Sequence, residues 1–391
     1  MTVTAIDPEQ IAEFALRLVR IPSLSGEEAL AAREVAAEMT RLGYQVEVDA
    51  WGNVIGTIGA ESGPCVLIDA HLDTVGVTDP AAWSHDPAGE RADRRLYGRG
   101  TMDMKGPLAA VVHGVATVRK RLSRGRVVVS ATLAEEMIEG PMTAAVARRV
   151  RPDYVVIAEA TSLRLARGQR GRAEMVIETH GRPTHSSRPE LGVNAAQAMI
   201  DVILALRGQS LAHHPVLGDG ILVLTDILSR PYPALSVVPD SCLATFDRRT
   251  LPGETMEDVL APIRVAVDKS LAAAEAHADV RIAEDHFATY TGLEVNAANF
   301  APAWFYGEDA TIVRQARAGL LDAGLAAELT HYAFCTNGSA TAGELNIPTI
   351  GFGPGDETLA HRVDEYVEID DLASAARGYA GVVLRLLEDG V

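Results

Sequence analysis

Cysteine is scarce in this chain: three in 391 residues, Cys65, Cys242 and Cys335, odd in number and far apart. That excludes a disulfide framework and zinc-finger spacing, and points to reduced thiols in a cytoplasmic protein. An excess of basic residues is also missing. The 35 Lys and Arg against 53 Asp and Glu leave a formal net charge of −18. This argues against a nucleic-acid or anionic-membrane partner, because both reward cationic side chains. Long hydrophobic runs are absent too. The apolar stretch 109–118 is interrupted by His113 and is too short to span a bilayer. At the N-terminus, Glu9, Glu13 and Arg17 break up anything resembling a signal peptide.

Several active-site signatures fail as well. Gly98-Arg99-Gly100 lacks the third glycine of a dinucleotide fingerprint, Gly351-Phe352-Gly353-Pro354-Gly355 opens no helix, and no G-x-S-x-G elbow occurs. What remains is 48% hydrophobic and 23% charged, an ordinary globular composition, at a length that favours two domains.

Asp7-Pro8 reads as the start of a helix, with Ile11, Phe14, Ala15 and Leu18 at helical spacing. Ser25-Gly26-Glu27-Glu28 fits a capping box for a second helix that Gly43 can close. Strands are expected at 45–49, 54–58, 65–70, 126–134 and 154–158, alternating with helices at 107–122 and 141–150. Their nearly continuous apolar character suggests an α/β sheet covered on both faces. From about residue 172 to 287 the order changes to β-α-β-β-α-β, that of a ferredoxin-like sandwich. A helix at 308–323, a strand at 347–352 and a helix at 370–388 then resume the first pattern, so the middle segment reads as an insertion.

Polar residues cluster where these strands end. His71 and Asp73 are two apart, hence on the same side of extended chain. Asp103 stands in a glycine-flanked loop before a helix, Glu135-Glu136 and Glu159 each follow an apolar strand, and His361 lies in a late polar loop. Singly, each has an ordinary explanation: a mutually satisfied pair, a helix cap, a solvated loop end. Together they are two imidazoles and several carboxylates at the strand ends of an open α/β sheet, where ligand sites form. A mixed His/carboxylate set suits zinc, with cobalt and manganese as alternatives. Five ligands with one shared carboxylate suffice for two ions about 3.5–4 Å apart.

These motifs, in this order, resemble the co-catalytic zinc hydrolase superfamily of acetylornithine deacetylase, succinyl-diaminopimelate desuccinylase, carboxypeptidase G and aminoacylase. The resemblance covers nearly the whole chain. The stretch FCTNGSATAGELNIPTIGFGPGDETLAH is most similar to the branch of selenium-metabolism-linked hydrolases. It implies a mixed-sheet α/β catalytic domain over 1–170 plus 289–391, with a ferredoxin-like lid and dimerisation domain inserted at 171–288. It further implies that His71, Asp103, Glu136, Glu159 and His361 bind two metal ions, with Asp103 shared and Asp73 orienting His71. A cis peptide is expected after Asp103. Glu135 would be the general base, taking a proton from the attacking water and returning it to the leaving amine.

From the lid, HGRPTHSSRPELGVNA matches a motif whose histidine, here His185, would steady the carbonyl oxygen in a partner subunit's site. Asn194 is a polar candidate beside it, and Arg249 would grip a substrate carboxylate unless it pairs with Asp247. Thr336-Asn337-Gly338-Ser339 stands where many relatives carry an aspartate, which makes Asn337 a candidate for the substrate pocket. His113, His277 and His213-His214 read as structural or solvated, and His331 stays open. The expected activity is hydrolysis of an amide in a small carboxylate-bearing molecule by a homodimer. An N-acyl-amino-acid deacylase comes first, a dipeptidase or carboxypeptidase-type exopeptidase second, and a catalytically silent metal-binding homologue is the rival of another class.

Overall fold

The computed structural model describes residues 6–388. The chain divides into two compact units, one of residues 1–169, 286–296 and 305–391, the other of 170–285 and 297–304. Residues 297–304 thus return to the second unit after the chain has left it.

In the first unit, α1 (Pro8–Val19) starts as its sequence suggests, Asp7 capping the Glu9 N–H and Pro8 occupying the first turn. The capping box expected for α2 (Ala29–Leu42) does not form. Its N-cap is Glu28, which makes no side-chain cap bond. Ser25 and Glu28 are used elsewhere: Ser25 Oγ donates to Asp73 Oδ2 (2.7 Å), and Glu28 Oε1 accepts from the Ala134 N–H (3.1 Å). Gly43 does end α2, in the left-handed region at φ 88°.

The main strands of the sheet are β1 (Gln45–Val48), β2 (Val54–Gly59), β3 (Cys65–His71), β4 (Arg126–Thr132), β5 (Tyr154–Ile157), β6 (Leu165–Gln169), β7 (Leu329–Tyr332) and β8 (Thr349–Gly351). Neighbours run β1-β2-β4-β3-β5-β8-β6, with β7 beside β6. β3 lies parallel to both β4 and β5, β8 is parallel to β5, and β1 and β2 are antiparallel additions, so the sheet is mixed. Every residue of β3 is buried, as expected of a central strand covered on both faces. Cys65 and Leu67 pack with Val146 and Ala147 of α3 (Pro141–Val150); the alternating positions face the other way. Two closing helices, 311–322 and 369–388, approach each other through glycine. A Cβ on Gly319 would lie 2.5 Å from the Gly381 carbonyl oxygen, and one on Gly381 2.2 Å from that of Gly319.

The second unit has an antiparallel sheet of β9 (Gly171–His180), β10 (Ile221–Arg230), β11 (Ser241–Thr250) and β12 (His277–Ile282) in the order β10-β11-β9-β12. Helices α4 (Ala195–Leu206) and α5 (Met256–Leu271) cover one face through Met199, Val202, Val259 and Ile263 against Ala173, Met175, Ile177 and Phe246. This is the β-α-β-β-α-β order read from the sequence. The last strand of the segment read over 172–287 divides, because its ladder to β9 ends at Ile282↔Met175 and 284–288 pairs instead with 294–298. The protein is therefore an α/β mixed-sheet fold with an inserted ferredoxin-like unit.

Candidate metal centre

Parallel pairing brings the C-terminal ends of β3, β4, β5 and β8 to one edge of the sheet, with His71 opposite Thr132 and Asp69 and Gly351 both opposite Ile157. Just past those ends come Glu135-Glu136 after β4, Glu159 after β5, and His361 in the loop after β8. Asp103 arrives from the turn Thr101–Lys105, and its peptide to Met104 is cis, as expected.

Asp103 stands in the middle. Its Oδ1 is 3.1 Å from His71 Nε2 and its Oδ2 is 3.2 Å from His361 Nε2. On the His71 side, Glu159 Oε1 lies 3.4 Å from Nε2 and Glu135 Oε2 lies 3.9 Å away. On the His361 side, both Glu136 oxygens are within reach, at 3.1 and 3.0 Å. His71, Asp103 and Glu136, and separately His71, Glu135 and Glu159, each bring donor atoms close enough to share one ion. All five sequence-predicted ligands and Glu135 thus converge.

Asp73 meets His71 first through its backbone. The nearest acceptor to His71 Nδ1 is the Asp73 backbone carbonyl (2.9 Å), and the carboxylate is farther off, at 3.5 Å. That carboxylate instead accepts the Glu135 and Glu136 N–H groups (3.1 and 3.0 Å), fixing the turn that separates the two glutamates.

Four buried or nearly buried carboxylates against two imidazoles make a strained charge balance. Burial, then the neighbouring Asp103 charge, pushes Glu159 up to about 7. Burial, reinforced by the charges of Glu159, Glu139 and Glu136, lifts Glu135 well above the carboxylate range. Burial likewise raises Glu136. Asp103 is lowered, because bonds to His361 and His71 outweigh its own burial. The Asp103 and Glu136 hydrogen bonds push His361 up to about 10. Like charges held this close call for protons or cations between them, so the donor set fits two divalent ions.

Sequence reasoning missed the groups beneath the ligands. Asp69, buried on β3, accepts from Ser130 Oγ (2.5 Å), Thr143 Oγ1 (2.9 Å) and Asn337 Nδ2 (2.9 Å). Both ends of the Asn337 amide are engaged in this network. Its amide nitrogen is taken by Asp69 and its Oδ1 accepts the Gly140 N–H at 2.8 Å, because a buried carboxylate needs donors. Buried Glu365 accepts from Arg99 and from the Met102 and Asp103 N–H groups. His331, half-buried on β7, is not in the cluster. His113 pairs with Glu38 (3.0 Å), a structural role.

The remaining candidates belong to the second unit. His185 is exposed, its Nδ1 2.8 Å from Ser187 Oγ. Asn194 is the N-cap of α4, accepting the Gln197 N–H at 3.1 Å. Arg249 forms a two-pronged pair with Asp247 (2.8 and 3.3 Å), the alternative that its sequence context allowed.

Among known proteins, the chain is 35% identical to the uncharacterized protein YgeY of Escherichia coli (strain K12), over 96% of this chain and 94% of that one. It is 29% identical to succinyl-diaminopimelate desuccinylase 2 of Ruegeria sp. (strain TM1040), over 97% and 95%. Its fold matches the crystal structure of the Bacillus subtilis YXEP protein, described as a dinuclear metal binding peptidase, with TM-score 0.73, 15% identity and 98% coverage of each chain. Residues 67–385 match the model of peptidase family M20/M25/M40. The protein belongs to that family and is a metal-dependent hydrolase.

Proposed function

We propose that this protein hydrolyses an amide bond in a small molecule bearing a free carboxylate, with an N-acyl amino acid as the first substrate class. The observation that carries this reading is the Asp103 carboxylate, one oxygen toward His71 and the other toward His361. Such a carboxylate suits two ions, zinc by its mixed donors, with cobalt or manganese also compatible. His71, Asp103 and Glu159 would hold one ion, and Asp103, Glu136 and His361 the other. Bound there, the ions would supply Lewis acidity, acidifying water and favouring negative charge on the carbonyl oxygen.

Glu135 is the general base in this reading. It lies 3.9 Å from His71 Nε2, beyond hydrogen-bond reach, whereas Glu136 contacts His361 directly. The raised affinity of Glu135 for a proton suits a group that accepts one from water and returns it to the leaving amine. His185 would steady the carbonyl oxygen in a partner subunit's site, Asn194 near it, and Arg249 would bind the substrate carboxylate if it can exchange Asp247 for it.

A homodimer is supported by β10, an edge strand of the lid sheet that exposes Val223, Leu224, Ile227 and Leu228, and by α4, which exposes Ile200 and Leu204. A cytoplasmic location is supported by the small number of cysteines, three, all buried. Among the described residues no helix is long and apolar enough to cross a membrane.

The reading is tested with metal-depleted protein re-supplied with zinc, cobalt or manganese and assayed on a panel of N-acyl amino acids and dipeptides. Turnover of acyl amino acids is expected. Preference for dipeptides would favour the exopeptidase reading, and no turnover by a two-metal dimer would favour a silent homologue.

A further inference from the structure

Two loops that carry metal-competent side chains run side by side. Residues 95–97 lead into the Asp103 turn, and 366–368 follow the His361 loop. The two segments pair antiparallel with Tyr366 opposite Tyr97. Glu365 sits where the loops separate. Its own carbonyl accepts the Gly98 N–H (3.0 Å). Its side chain, fully buried, crosses to the other loop: Oε1 accepts the Met102 and Asp103 N–H groups (2.9 and 3.2 Å), and Oε2 accepts Arg99 Nη1 (2.6 Å). The neighbouring Asp364 ties the same loop to the Ser84 N–H at 2.8 Å.

We propose that Glu365 is a positioning residue for one side of the metal centre, holding the Asp103 backbone and the His361 loop in a single register. The inference rests on the assignment of Asp103 and His361 as ligands. Of the converging side chains, His361 is the most exposed, at 47%, and its backbone is in the left-handed region at φ 61°. It stands on no strand, so its placement depends on whatever anchors its loop. His71 and Glu159, by contrast, follow directly from the central strands β3 and β5 and their parallel register. A buried, charge-assisted acceptor is strong and directional, and here one carboxylate group fixes both sides of the Asp103–His361 contact. Losing it should therefore impair the ion between Asp103, Glu136 and His361 more than the ion beside His71 and Glu159, which shares Asp103 but keeps two donors placed by the central strands.

The test is calorimetric titration of metal-depleted protein with zinc, together with cobalt(II) absorption spectra, which need no turnover. Glu365→Ala should weaken the second ion by about 10–100-fold, the usual effect of removing a group behind a ligand, and weaken the first, which shares only Asp103 with it, distinctly less. Glu365→Gln, which keeps an acceptor for the two N–H groups, should lose less. It also serves as the readout if the alanine variant does not fold. Equal weakening of both ions in folded protein, or of neither, overturns the proposal. His361→Ala separates the two claims. If it loses one ion while Glu365→Ala keeps both, only the positioning role fails; if it keeps both ions, the ligand assignment fails and the positioning role with it.

Discussion

Glu135 and Glu136 are adjacent in sequence and differ in surroundings. The amides of both are pinned by the Asp73 carboxylate, so the side chains diverge from a fixed turn. Glu136 meets His361, and Glu135 stays within the His71–Glu159 group without a close bond. The proton demand of this cluster has a consequence for stability. Glu159 is raised by burial, then by Asp103, from 4.5 to about 7. Burial, then the charge of Asp73, does the same to Glu28. A carboxyl with a raised folded value favours the folded state below its unfolded value. That contribution is lost as pH climbs from about 4.5 through about 7. Asp73 and Asp103 are lowered and have the opposite sign, but they act only below the ordinary Asp value of 3.8. His361, raised from 6.5 to about 10, contributes fully below 6.5 and loses that contribution as pH climbs through about 10. Metal-depleted protein should therefore melt at a lower temperature near pH 8 than near pH 5, and zinc should reverse the loss at pH 8. Melting curves that are alike at both pH values, with or without zinc, would contradict this electrostatic account.

At the scale of elements, the sheet supplies the site by ending four parallel strands together, and a buried polar network keeps those ends in place. Asp69 joins β3 to Ser130 on β4, to Thr143 on α3 and, through Asn337, to the Gly140 amide at the start of α3. Asn337→Ala removes a donor to a buried carboxylate and an acceptor for a buried amide. It should lower unfolding stability by about 1–3 kcal/mol in urea titration while leaving KM on the substrate panel nearly unchanged. A raised KM at unchanged stability would restore Asn337 to the substrate pocket. This network also shows what the sequence could and could not disclose. His71, Asp103, Glu135, Glu136 and Glu159 stand out because each lies at a strand end or before a helix whose pattern is local; their roles, and the place of His361 in a loop, come from the resemblance of the motifs and their order. Asn337 meets Asp69 across 268 positions and Glu365 meets Met102 across 263, and no local pattern records such pairings. The failed capping box has the same origin: Ser25 is claimed by Asp73, 48 positions away.

For the whole molecule, the inserted unit follows the split β-α-β-β-α-β order because alternation and helical spacing within it are regular. Its edge strand β10 leaves four large apolar side chains exposed, which is costly unless another chain covers them. Ile227→Lys should convert a dimer to a monomer in sedimentation equilibrium with the fold retained. A wild-type protein that is monomeric at micromolar concentration would contradict the assembly.

The central claim is that Asp103 is shared between two ions while Glu135 binds neither tightly and moves the proton. It is tested most directly by counting zinc in titrated wild-type and Glu135→Ala protein alongside their turnover. The account predicts about two zinc per chain in both and loss of turnover in the variant alone. One zinc per chain in the wild type, or loss of zinc from the variant, would contradict it.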